Sequence, residues 1–173
     1  MRDFALFLTL GATLCGTASA SGGPGGGRPT ANKPAAAAKV FACNVTRVHD
    51  GDGPIWCAEQ GLDGKPIKIR LQAVAAREMP SEETLRGSDA KGAYGTCLPG
   101  HPCPRASAAA AKAELARLAV GQRLRCEATG SSYERVTAWC WTPAGVQLNC
   151  AMVKSGTTLR WARFDRDRRL CRP

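Results

Sequence analysis

The sequence predicts an α+β domain that is mainly β: a five-stranded OB-type barrel with a helix between strands 3 and 4 and a short second helix. Three observations carry that expectation. Extended runs follow one another between residues 40 and 71, separated by Asp-Gly turns. An alanine-rich stretch opened by Pro104 and closed by Gly121 reads as a helix, and two further extended runs follow it before a last short helical stretch. Five strands with a helix between the third and fourth is the order of an OB-type barrel, whose open face commonly takes oligonucleotides.

Each element has its own signal. Val40, Ala42, Val45 and Val48 lead into Asp50-Gly51-Asp52-Gly53, a strong turn sequence, and Ile55-Trp56-Cys57 resumes the extended run, which makes a hairpin. A second turn at Asp63-Gly64 precedes Ile67-Lys68-Ile69-Arg70-Leu71, where apolar and polar residues alternate with a period of two. The three strands form an antiparallel meander. Residues 81 to 103 are small, polar and glycine-rich with no period, the mark of a long loop that is either functional or disordered. From Ala106 to Val120 a helix places Ala108, Ala111, Leu115 and Leu118 on its buried stripe and leaves Lys112, Glu114 and Arg117 solvated. Strands over Arg123 to Ala128 and Val136 to Trp141 follow, joined through Gly-Ser-Ser-Tyr-Glu, and a short helix runs from about Gln147 to Lys154, ended by Gly156. Trp56, Trp139 and Trp141 fall in strands and read as core or sheet-face residues; His49 reads as a strand-end residue.

The N-terminal residues follow a secretory plan. Arg2 supplies the basic end, Phe4 to Leu14 the apolar stretch and Ala18-Ser19-Ala20 a small-residue cleavage site. The expectation is a signal peptide over 1–20, cleaved near Ala20, and a secreted or periplasmic protein. An acylated Cys15 fits poorly, because Leu14 stands where a small residue is wanted. Residues 21–39, rich in Gly, Pro and Ala, read as a flexible linker, 40–165 as the folded domain and 166–173 as a basic C-terminal tail. No apolar run reaches the roughly 20 residues of a membrane-spanning helix, so no membrane insertion is expected.

Export gives the cysteines their meaning. The chain has 9, and without Cys15 an even set remains, which reads as disulfides in an oxidising compartment. Roughly a hundred pairings are possible. Cys97 and Cys103 flank a proline-rich turn and are expected to form a local bridge, and Cys126 and Cys140 can face each other across the last strand pair. A metal site on Cys97, His101 and Cys103 lacks the paired close spacings of structural zinc. The net charge is +10, and the loss of Arg2 together with Asp3 leaves it unchanged. Such a charge points to an anionic partner such as nucleic acid. A length of 173 residues excludes two large domains, and a hydrophobic content of 44% excludes a wholly disordered chain.

Phosphodiester hydrolysis needs cations around the phosphoryl oxygens, a base for water and usually a carboxylate-held metal. Asp50-Gly51-Asp52, then Ile69-Arg70-Leu71, then Glu78 and then Tyr133-Glu134-Arg135 supply these residue types in order. That order resembles the staphylococcal nuclease (thermonuclease) family, and the resemblance runs from about Val40 to Arg163. It includes the interposed helix and the Leu148 to Gly156 segment, which looks like that family's second helix. The resemblance implies an OB barrel with helices that hydrolyses DNA and RNA with one calcium ion, and a protein that acts as a monomer. It implies Arg70 and Arg135 as the phosphate-gripping arginines, Glu78 as general base on water and Tyr133 as a substrate contact. Asp52 would be the calcium carboxylate, helped by the backbone carbonyl of Ala76, with Asp50 in the outer shell.

The chain departs from the family pattern where the strand ends, at Ala75-Ala76-Arg77-Glu78: Ala75 replaces a second calcium carboxylate, and Gly53 replaces the threonine that often follows the hairpin acid. The calcium is therefore expected to bind weakly. Glu82, Glu83 and Asp89 are the loop acids available to replace the lost ligand. Arg77 reads either as a third phosphate contact or as a solvated loop charge. Seven basic residues from Lys154 onward (Lys154, Arg160, Arg163, Arg166, Arg168, Arg169 and Arg172) stand with Trp161 and Phe164, a mix that suits phosphate attraction and base stacking. Trp161 itself reads as packing on the barrel. Two functions follow: a secreted calcium-dependent nuclease, or a catalytically weakened OB module that binds nucleic acid or another anionic partner.

Overall fold

A computed structural model describes residues 39–80 and 94–172. The expected signal peptide and the expected linker up to residue 38, and with them Glu82, Glu83 and Asp89, lie outside the described residues. The first three strands are β1 (Val40–Val48), β2 (Ile55–Gln60) and β3 (Pro66–Leu71), paired antiparallel in succession. The short β4 (Val74–Ala75) follows, then helix α1 (Ala108–Ala119), β5 (Arg123–Ser132), β6 (Arg135–Trp141), helix α2 (Leu148–Lys154) and β7 (Leu159–Arg160), with a 3₁₀ turn over Ala162–Phe164. The barrel closes in the order β1-β2-β3-β6-β5, and its one parallel pair is β3 with β6. β4 and β7 form a separate two-stranded sheet. The expected α+β barrel class is what the chain adopts: a closed five-stranded mixed barrel with two α-helices among the described residues.

Alternation explains the barrel interior. On β3, Ile69 and Leu71 are buried while Arg70 between them points to the other face. Ile55, Leu124 and Ala138 complete the interior from β2, β5 and β6, and Leu115 and Met152 cap it from the two helices. Two disulfides sit within this core, Cys43–Cys57 between β1 and β2 and Cys126–Cys140 between directly opposed residues of β5 and β6. The expected Cys97–Cys103 bridge closes the turn before α1, and Cys150–Cys171 ties the last residues to α2. No helix among the described residues is long and apolar enough to cross a membrane.

The extents of α1 and β5 and one buried position of α1 differ from the expected ones. Helix α1 starts at Ala108 instead of Ala106, because the Ser107 hydroxyl accepts a hydrogen bond from the Ala110 amide at 3.1 Å and so caps it. The fourth buried position of α1 is Ala119; Leu118 lies at the edge of the stripe and is half-buried. Strand β5 continues to Ser132 through an irregularity between Ala128 and Gly130, leaving Tyr133-Glu134 as a two-residue turn with Tyr133 at φ 54°.

Candidate active site

The Asp50-Gly51-Asp52-Gly53 turn is held from within and from below. The Asp50 carboxylate accepts hydrogen bonds from the amides of Asp52 (3.1 Å) and Gly53 (2.9 Å). A Cβ on Gly51 would lie 2.4 Å from the Ala111 Cβ, so only glycine lets α1 approach this closely. The Asp52 carbonyl accepts from the Leu71 amide at 2.9 Å, which hangs the turn on β3. Both acids are consequently buried, at 3% exposure each.

Arg70 leaves β3 toward this turn. Its guanidinium donates to the Asp52 carbonyl at 3.1 Å and forms an ion pair with the Asp52 carboxylate. The other Asp52 oxygen accepts from the Ala76 amide at 2.8 Å. The acids crowd one another: burial first, then the charges of Asp52 and Glu78, push the Asp50 carboxyl from its ordinary 3.8 up to about 8. Ala75, where a second carboxylate was missed, is buried in β4 and pairs with Leu159 of β7.

Glu78 is fixed through its backbone, which exchanges two hydrogen bonds with Thr96 at 2.8 and 3.1 Å. Arg77 beside it faces elsewhere. Its guanidinium donates to the carbonyls of Pro104 (2.9 Å) and Gly95 (3.4 Å) and lies over the Tyr94 ring at 4.4 Å, so it clamps the loop before α1. Tyr133 stands at the tip of the β5–β6 turn, 94% exposed, and Arg135, two residues on, donates a 3.4 Å hydrogen bond to the Ser132 carbonyl.

A cleft of about 550 Å³ gathers Arg70, Glu78, Tyr133 and Arg135 along its lining. Three separate segments contribute these side chains: β3, the loop that carries Glu78, and the β5–β6 turn with the start of β6. Asp52 lies beneath Arg70 and does not line the cleft, and neither do Ala76 and Arg77. The far wall is aromatic, with the His101 ring 4.2 Å from Trp161 and Trp161 4.6 Å from Phe164. Residue reasoning gave His101 no part in the site and set Trp161 against the barrel. The signal that joins them is the Cys97–Cys103 bridge, which folds the His101 turn onto the Trp161 segment. One further three-residue cluster of possible metal ligands, Cys43, Cys57 and Glu59, has its two sulfurs tied in a disulfide and offers no thiolate. Neither a scan of protein-family models nor a search of curated proteins returns a match to this chain.

Proposed function

We propose that this chain is an exported phosphodiester hydrolase that cleaves DNA or RNA, in the manner of the thermonuclease family its sequence resembles. The observation that carries the reading is the convergence of Arg70, Glu78 and Arg135 on one open cleft from β3, the following loop and β6. Two guanidiniums there can take the nonbridging oxygens of one phosphate through charge-assisted hydrogen bonds. Glu78 removes a proton from water as the water oxygen bonds to phosphorus. The ester P–O bond then breaks, and its electron pair leaves on the departing oxygen, which takes a proton from solvent. The arginines act by tightening on the charge that builds at phosphorus. Export accords with the four disulfides of the folded domain.

The acidic turn suits a loosely held divalent cation. Asp50 and Asp52 are buried acids packed so closely that Asp50 keeps its proton up to about pH 8, and a cation taken up there would displace that proton and pair with the charge it leaves. Asp52 shares its charge with Arg70, however, and Ala75 contributes none, so the affinity should be low. Asp52 and the Ala76 carbonyl would hold a calcium ion, with Asp50 behind them, and the ion would add positive charge to the site.

The second reading, a binding module that does not cleave, is favoured by the same buried Ala75. Digestion of single-stranded DNA by the oxidised protein separates the two readings. Cleavage that disappears in Glu78→Gln, while oligonucleotide binding persists, supports the hydrolase; binding without cleavage in the unmodified protein, with calcium present, supports the module.

A further inference from the structure

The arginine-rich C-terminal segment is not a free tail. The Cys150–Cys171 bridge, the hydrogen bonds between Gln147 and the backbone of Arg169 (3.2 Å) and Cys171 (2.8 Å), and the ion pair of Arg169 with Glu127 (2.7 Å) lay it against the barrel. There it forms one side of a second hollow, of about 260 Å³, lined by Arg163, Arg166 and Arg169 together with Trp139 and Phe164. This hollow and the cleft share Gln72, Thr129 and Phe164, so they meet along one ridge. The ridge is fixed: the Gln72 amide donates to the Phe164 carbonyl at 2.6 Å, and its oxygen accepts from the Thr129 hydroxyl at 3.0 Å.

The charges of the hollow are unevenly satisfied. Arg169 is paired with Glu127, and the buried Asp165 with Arg160. Arg163 and Arg166 are exposed and form no ion pair among the described residues, against the single exposed acid Asp167. The rings of Tyr133, Trp161 and Phe164 line the cleft, Phe164 lines the hollow as well, and all three can stack on unpaired bases.

We propose that this hollow is a second phosphate subsite, which takes the backbone of a single-stranded polynucleotide as it leaves the cleft past Phe164. The proposal rests on the reading of the cleft as a phosphodiester site. It makes the chain a reader of polymers: a strand long enough to span both hollows gains contacts that a dinucleotide cannot make.

Fluorescence anisotropy with labelled oligothymidylates of two and twelve nucleotides, on the full oxidised protein carrying Glu78→Gln, tests it. The twelve-mer should bind at least about tenfold more tightly than the dinucleotide, in keeping with the electrostatic gain from added phosphate contacts. The double variant Arg163→Ala/Arg166→Ala should lose about tenfold or more on the twelve-mer, and its salt slope should fall by about 1.4, two phosphates at about 0.7 each on single strands. Its dinucleotide affinity should stay within about twofold, and an unchanged near-ultraviolet circular dichroism spectrum would show the cleft intact. Equal binding of the two lengths, a twelve-mer affinity untouched by the double variant, or a duplex bound as tightly as the strand would overturn the subsite. The first two leave the cleft reading standing. No binding of either oligonucleotide would overturn both.

Discussion

Arg70 and Arg135 reach the same cleft with very different anchorage. Arg70 is wedged between the Asp52 carboxylate and carbonyl, whereas Arg135 has one long hydrogen bond and rests 5.8 Å from the Tyr133 ring centre. Truncating them should therefore separate catalysis from stability. Arg135→Ala should lower turnover by about 10²–10³ with little change in thermal midpoint. Arg70→Ala should lower turnover and also destabilise the fold by about 3–5 kcal/mol, because it strands the buried Asp52 charge. Paired melting curves and single-strand digestion check this, and an Arg135→Ala protein that cleaves normally ends that residue's assigned role. Asp50 sets a pH dependence on the same site. Its folded carboxyl is raised from 3.8 to about 8, so its contribution is whole below about pH 4 and is lost as pH rises toward 8. Asp50→Asn keeps an acceptor for the Asp52 and Gly53 amides without the charge. In chelator, the variant's advantage in thermal midpoint should be absent near pH 4 and should widen up to pH 8; parallel curves would show that the buried charge costs nothing.

At the scale of elements, the acidic turn and α1 act as one piece, since Gly51 lies where the helix surface leaves no room for a methyl group. Gly51→Ala should destabilise by about 1–3 kcal/mol through overpacking against Ala111. Ala111→Gly in the same chain should recover part of that loss, despite its own helix cost of about 1 kcal/mol, as read by denaturant titration. Losses that simply add would mean the turn does not bear on α1. The same contact marks how far sequence reading reaches. The meander, the alternation around Arg70 and the Pro104-to-Gly121 helix were legible because each is a local period or punctuation mark. The Cys97–Cys103 bridge was legible from its short span, and Cys126–Cys140 from the hairpin. Cys43–Cys57 was not, because a shift in register between Val45 and Arg47 sets Cys57 opposite Val45 in the ladder. Cys150–Cys171 depends on where the chain turns after α2, which no periodicity announces. Arg77 looked like either a phosphate contact or a solvated charge, and its partners Gly95 and Pro104 lie within and just after an unpatterned loop. The aromatic wall was hidden for a related reason: the Cys97–Cys103 bridge was legible, but nothing local in the chain says that the His101 turn it closes meets Trp161.

For the molecule as a whole, the four disulfides divide into two pairs with different duties. Cys43, Cys57, Cys126 and Cys140 are 0–2% exposed and lie in the barrel core. Cys103 and Cys171 are exposed, and their bridges hold the two features that sequence reading least foresaw, the His101 wall of the cleft and the arginine-lined hollow. Thiol–disulfide exchange requires the attacking thiolate to reach sulfur, so a mild reductant should open the surface pair first. Closing loops of this size, each bridge contributes about 2–3 kcal/mol, against a stability of about 5–15 kcal/mol for a domain. Loss of the surface pair should then leave the barrel folded, while loss of the core pair should come only with unfolding. The expected course under rising reductant has two stages. In the first, Cys97, Cys103, Cys150 and Cys171 become alkylated while far-ultraviolet circular dichroism holds steady and the affinity for a single-stranded oligonucleotide falls. In the second, the barrel cysteines react as the dichroism signal collapses. Peptide mass spectrometry of alkylated samples across the titration follows both stages. All eight reacting in one step with unfolding would show that the walls of the cleft and the barrel share a single cooperative structure, and barrel cysteines that react first would overturn the division into surface and core pairs.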